Sequence, residues 1–182
     1  LNVCIYRLPE RESIVKLPSH CMSCGAQLRW FDLIPLFSWL FLRGRCRRCK
    51  AEISVQYLII EGLNGFLWVF VFLVNGMNVM SVVYCLMTSA LLVLSVIDWR
   101  TFEIPFGINV FLGILGIVAV VLDKGEWLNH VIGAVCVSGF LLLLYLLSKG
   151  RAIGGGDIKL MAACGLLLGW QKSILAFLLG CI

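Results

Sequence analysis

At 182 residues, with 61% hydrophobic and only 14% charged side chains, the chain is neither disordered nor an ordinary soluble domain, in which roughly half the residues are apolar and about a quarter charged. A mean hydropathy of +0.99 points to several membrane-spanning helices. The net charge of +5 is unevenly placed: residues 1–56 hold nine of the fifteen Lys and Arg against four acids, and residues 57–182 hold six of each. The chain thus divides into a basic polar head, 1–56, and an apolar body, 57–182. It opens with Leu1 and stops at Ile182 inside an apolar run, which reads as a fragment at both ends.

The head carries two C-x-x-C knuckles, Cys21-Met-Ser-Cys24 and Cys46-Arg-Arg-Cys49. Facing each other, they supply four thiolates, the ligand set of a closed tetrahedral zinc site. Gly25 follows the first knuckle and Gly44 precedes the second, where tight turns need a permissive φ. Arg43, Arg45, Arg47, Arg48 and Lys50 offset the negative charge of a zinc tetrathiolate. Disulfides are the rival reading, disfavoured in a cytoplasmic head. With four sulfurs the zinc has no open position, so its expected role is structural. The five other cysteines read as small buried hydrophobes. The arginines, with Trp30, Phe31 and Trp39 nearby, also suit nucleic acid. Attraction to anionic lipid explains a basic head beside a membrane more simply, and no nucleic-acid partner is expected.

The body reads as helices over 57–76, 77–97, 104–122, 130–148 and 158–170, with another opening at 173–182. Spans near 20 residues fit a bilayer core of about 30 Å, and 158–170 is short by that rule. If each span crosses once, Arg100, Lys149, Arg151 and Lys159 fall on the side of the basic head. The opposite loops are 76–78, uncharged, and 123–126, with one Lys and two acids. By the positive-inside bias the head is cytoplasmic. The fold class is therefore an all-α polytopic membrane protein with a small cytoplasmic zinc-ribbon-like domain.

Two acids in the body stand out. Asp98 ends the apolar run Leu91-Leu-Val-Leu-Ser-Val-Ile97, and Asp157 follows Gly154-Gly155-Gly156. In this topology both sit at cytoplasmic helix ends, at one depth. An ionisable group at a bilayer edge is costly unless paired or functional. Two carboxylates at one depth can share a proton, leaving an acid and a base side by side, able to activate water against an amide and protonate the leaving nitrogen. The three glycines let a substrate backbone come close or let the helix start bend. The alternatives remain open: Asp157 as a dipole partner at a helix N-terminus, and Asp98 in a surface ion pair with Arg100. Glu61, early in the first span, can cap, pair with a head Arg or line a site.

Together these residues resemble the prepilin leader peptidases, G-x-G-D membrane aspartic proteases of type IV pilus and type II secretion systems. Asn2-Val-Cys-Ile-Tyr-Arg-Leu-Pro9 is similar to the family's segment after its first membrane helix. Cys21 through Arg29-Trp30, Ile34-Pro35, Ser38-Trp39 and Arg43-Gly44-Arg45-Cys46 to Cys49 resembles its cytoplasmic loop. Ile97-Asp98 and Gly154-Gly155-Gly156-Asp157-Ile-Lys-Leu match its two aspartate motifs. The chain departs from many relatives at Phe106, where they carry an Asp after the Pro. The resemblance implies a bifunctional enzyme of the bacterial inner membrane. It would cut the leader from type IV prepilins and pseudopilins at the cytoplasmic face, then N-methylate the new N-terminus using S-adenosylmethionine. Asp98 and Asp157 carry over as the protease pair and the four cysteines as a Zn2+ loop associated with methylation. Gly44, Arg45 and Glu61 are the candidates for the methyl-transfer site. The rival classes are a non-enzymatic zinc-ribbon membrane scaffold and a different G-x-G-D intramembrane protease.

Overall fold

A computed structural model of the chain describes residues 1–10, 20, 21, 23–27, 39, 41–151 and 153–180. Arg29, Trp30, Phe31, Ile34, Pro35 and Ser38 of the head, and Cys181 and Ile182 of the last expected span, lie outside the described residues. The helices among them are α1 Asn2–Arg7, α2 Gln56–Asn75, α3 Val79–Thr101, α4 Phe106–Leu122, α5 Trp127–Leu147, α6 Gly155–Leu168 and α7 Trp170–Gly180. No strand occurs among them, only two isolated antiparallel bridges in the head.

Local chemistry sets the breaks between helices. Asn78 caps α3, its Oδ1 accepting from Ser81 N–H at 2.8 Å. Pro105, which lacks an N–H and fixes φ, stands immediately before α4. A single 3-10 turn, Lys124–Glu126, leads into α5. The expected helix over 158–170 instead starts at Gly155, which puts Asp157 in its first turn, and ends at Gly169, after which α7 starts at once.

Lys124–Leu147, Gln56–Asn75 and Val79–Thr101 are long and apolar enough to cross a membrane; Phe106–Leu122 is apolar but shorter. At 1.5 Å per residue, α6 reaches only about 21 Å. Its apolar side chains are met by protein: α6 packs on α4, α5 and α7. On the other side of α4, α3 packs on α1, α2 and α4. No direct backbone packing joins α3 to α6, so α4 stands between them. Ile97, Leu112, Ala119 and Leu167, all fully buried, lie in the core these helices share. Large apolar side chains point outward from α2, α4 and α5, among them Phe66, Leu73, Ile117 and Leu147. Such a surface suits lipid rather than water.

Three contacts fix the direction of α6. A Cβ on Gly156 would sit 3.2 Å from Ile104, just before α4, and one on Gly116 would sit 3.0 Å from Leu166. The two helices thus run parallel. Lys159 Nζ lies 5.8 Å from the centre of the Phe106 ring, at the same end. On the other flank α5 and α6 cross almost backbone to backbone, and a Cβ on Gly165 would meet Gly133 O at 2.2 Å. Small residues at the crossing allow this approach, as is common between membrane helices. The buried His130 bonds through Nδ1 to Leu166 O at 2.9 Å, close to the end of α6.

Candidate functional site

The two knuckles are built alike. Cys21 N–H donates to Ala26 O at 2.9 Å and Gly25 N–H to Cys21 O at 2.8 Å; Cys46 N–H donates to Ala51 O at 2.8 Å and Lys50 N–H to Cys46 O at 2.9 Å. Each is closed by an antiparallel bridge, His20 with Gln27 and Arg45 with Glu52. Gly25 has φ +66, and in the second knuckle the equivalent left-handed position is held by Lys50 at +57. Lys50 was noted in the sequence only for its charge. Gly44, at φ +68, serves a different need: a Cβ there would press on the Trp39 ring at 2.9 Å. Trp39 Nε1–H reaches Ile53 O at 3.5 Å and closes the turn beneath the second knuckle.

The four Sγ atoms of Cys21, Cys24, Cys46 and Cys49 all lie within 4.8 Å of one another. Cys21 and Cys49 are 3.8 Å apart, the separation of about 3.8 Å that a tetrahedron with Zn–S of about 2.3 Å requires. None of the four is in a disulfide. The N–H groups of Cys24 and Ser23 hold the Cys21 thiol down from 9.0 to about 6. Those of Cys49 and Arg48 lower Cys46. At Cys49 the Ala51 N–H also lowers the thiol, but desolvation and the neighbouring sulfurs outweigh it and push it up to about 11. Such a set of donors, with backbone N–H groups ready to stabilise thiolate, fits a structural zinc.

Asp98 lies in the last turn of α3, where its carbonyl accepts from Phe102 N–H at 2.8 Å. Its side chain is exposed. Arg100 is turned away from it: the guanidinium lies 4.8 Å over the Tyr6 ring, donates to Tyr6 Oη at 3.3 Å and bonds Gln56 Oε1. The Asp98–Arg100 ion pair open at the sequence level does not form. Asp157, also exposed, opens onto a groove of about 350 Å³ lined by Leu141, Ile153, Gly154, Leu160, Met161 and Phe177. A Cβ on Gly154 would sit 3.0 Å from Asp157 Oδ2, so its absence leaves the backbone open beside the carboxylate. Gly155 has open space around it, and Gly156 packs on Ile104. Lys159 rests on Phe106 and makes no ion pair with Asp157. The contacts of α6 with Ile104 and Phe106 bring Asp157 to the end of the bundle where α3 ends with Asp98. Among the described residues no hydrogen bond joins the two carboxylates.

The other candidates fall on the head and its junction with the helices. Arg45 is exposed beside the second knuckle. Among the described residues Glu61 pairs with no arginine; its Oε1 accepts from Leu1 N at 3.1 Å and Asn2 Nδ2 at 3.2 Å, tying α1 to α2. Tyr6 and Tyr57 stack there with ring centres 6.1 Å apart. Sequence reasoning missed the Tyr6–Arg100 clamp and the groove, because both join residues distant in the chain with no spacing to announce them.

Two family models match the chain: the bacterial peptidase A24 N-terminal domain over residues 1–75, and the type IV leader peptidase family over residues 85–182. Curated relatives named prepilin leader peptidase/N-methyltransferase include one from Myxococcus xanthus, 35% identical over 94% of this chain and 52% of its own length. Others are from Pectobacterium carotovorum, 36% identical over 94% of this chain and 71% of the relative, and Klebsiella pneumoniae, 36% over 93% and 79%. The chain thus spans about half the length of the Myxococcus relative. No solved structure matches it. With both models matched and relatives of this identity covered over most of their length, the chain belongs to the type IV leader peptidase family, a family of proteases.

Proposed function

We propose that the chain carries out the two reactions named for its relatives on type IV prepilins or pseudopilins at the cytoplasmic face of the bacterial inner membrane. One removes the leader; the other methylates the new N-terminus. The observation that carries the protease half is the placement of Asp98 and Asp157 at one end of the helical bundle, on helices flanking α4, each exposed and free of an ion pair among the described residues. One carboxylate takes a proton from water as its oxygen bonds to the scissile carbonyl carbon. The protonated partner gives its proton to the leaving nitrogen as the C–N bond breaks. Gly154 lets the substrate backbone reach Asp157.

Methyl transfer we place at the head and its junction with α2, where Gly44, Arg45 and Glu61 lie. S-adenosylmethionine, as co-substrate, supplies the methyl group to the product amine. Zinc, held by Cys21, Cys24, Cys46 and Cys49, ties the two knuckles together and has no position open for chemistry. A non-enzymatic scaffold would need the cysteines and neither aspartate. Asp98→Asn and Asp157→Asn, assayed singly for leader removal in membranes, should each lower the rate at least roughly a hundredfold. Normal cleavage by either variant would overturn the assignment.

A further inference from the structure

At the end of the bundle opposite Asp98 and Asp157, where α3 starts and α4 ends, lies a cavity of about 440 Å³. That volume is within the usual range of ligand pockets, about 300–1,000 Å³. Its wall is divided: Val79, Met80 and Leu122 supply an apolar side, and Asn75, Tyr84 and Asp123 a polar one. Asn78, also at the wall, has its Oδ1 occupied in capping α3. Asn75 Nδ2 donates to Val71 O at 3.0 Å, and Asp123 Oδ2 lies 3.7 Å from His130 Nε2. Asn75 Oδ1, Tyr84 Oη and Asp123 Oδ1 have no hydrogen-bond partner among the described residues. Three acceptors, one of them a carboxylate, suit a primary ammonium, which carries three N–H donors and a positive charge.

A cation stands beside them. Lys172 Nζ, from the first turn of α7, lies 5.7 Å from the centre of the Tyr84 ring. Among the described residues it makes no ion pair with Asp123. A carboxylate in the wall and an ammonium against the wall residue Tyr84, not joined to each other, match a ligand that carries both charges. Its ammonium would meet Asp123 and its phosphate Lys172. The depth of the cavity indicates where such a ligand comes from. Trp127 opens α5 and Trp170 opens α7, both at this end and both exposed. Trp170 N–H donates to Asn129 Oδ1 at 3.1 Å, which ties the two helix starts together. Exposed tryptophans mark the headgroup level of a bilayer. At that level Val79 and Leu122, both exposed, offer apolar surface to acyl chains.

We infer that this cavity binds the phosphoethanolamine headgroup of a lipid in the leaflet opposite the aspartates, and recognises its ammonium through Asn75, Tyr84 and Asp123. The site is remote from the aspartates and does not depend on their role. The test mixes the full chain, in neutral detergent, with equal parts of dioleoyl lipids and identifies those retained by native mass spectrometry. The headgroups are ethanolamine, its N-methyl and N,N-dimethyl forms, choline, and phosphatidylglycerol as the anion. Each methyl group removes an N–H donor and leaves the charge and the phosphate in place, so retention should fall stepwise from ethanolamine to choline. The ethanolamine lipid should exceed the choline lipid about tenfold, the scale of a charge-assisted hydrogen bond. Asp123→Asn, which keeps the shape and removes the charge, should bring that ratio toward one, and Tyr84→Phe should lower it less. Lys172→Gln should weaken retention of all these lipids and leave the ratio unmoved, because they share the phosphate. A general loss of stability does not change a ratio read on the folded protein. A wild-type ratio near one overturns the site, as does an unchanged ratio in Asp123→Asn or a preference for phosphatidylglycerol. Free phosphoethanolamine, added in the same amount as the lipid, should displace none of it. Displacement would mean a soluble ligand and overturn the lipid assignment.

Discussion

Four cysteines of one residue type do not have one reactivity. Cys21, held to about 6 by the Cys24 and Ser23 N–H groups, is a thiolate at neutral pH, whereas Cys49, pushed up to about 11, remains a thiol. The thiolate is the nucleophile. In metal-free protein at pH 7.5 or so, Cys21 should react with iodoacetamide well before Cys49, by peptide mass spectrometry. A folded value below the ordinary thiol value of 9.0 means the thiolate is populated above about 6 and lost as pH falls through it, so the Cys21 advantage should vanish near pH 5. Zinc should protect all four cysteines. Equal rates at Cys21 and Cys49, with no protection by zinc, would count against the knuckle geometry. The ligand set itself was plain in the sequence because both pairs share one spacing. The left-handed turn at Lys50 was not, since only a glycine advertises positive φ, and here the fold imposes it on a lysine.

The helices were legible where apolar runs are long, and α2, α3, α4 and α5 fall within a few residues of the expected 57–76, 77–97, 104–122 and 130–148. The α6–α7 break was legible as well, since the polar pair Gln171-Lys172 separates the expected 158–170 from 173–182 and the structure breaks at Gly169; the start of α6 was less so, because the helix begins at Gly155, inside a glycine run that reads as loop. What the sequence could not show is which glycines touch. Gly133 and Gly165 lie on different helices, and only packing reveals that a Cβ on either would strike the other's backbone, at 2.5 Å and 2.2 Å. Backbone atoms cannot swing aside as side chains do, so Gly165→Ala must part α5 from α6. It should destabilise the solubilised protein by roughly 1–3 kcal/mol, the range for overpacking, seen as a lower melting temperature. Gly113→Ala, on α4 with nothing within 4 Å, should hold or raise it, because alanine suits a helix better than glycine. If the two variants melt alike, the close crossing of α5 and α6 is wrong.

At the scale of the molecule, charge and packing argue for the same arrangement by independent routes. The basic head leads directly into α2 at Gln56, and Arg100, Lys149, Arg151 and Lys159 all fall at the end of the bundle where Asp98 and Asp157 lie. The Tyr6–Arg100 clamp ties α1 to that same end. The far end is poorer in cations: the α2–α3 turn has none, the α4–α5 turn has Lys124 beside Asp123 and Glu126, and Lys172 in the first turn of α7 lies over the Tyr84 ring. Cationic loops are retained on the cytoplasmic side, so the head and both aspartates should face the cytoplasm. Reporter fusions check this. An alkaline phosphatase fused after Gly125, active only when exported, should be active, and one fused after Gly150 should be silent. A cytoplasmic fluorescent reporter at the same two sites should give the opposite pattern. If both enzymes report the same side, α5 does not cross. If the pattern is inverted, the aspartates lie outside, and a cut at the cytoplasmic face is ruled out.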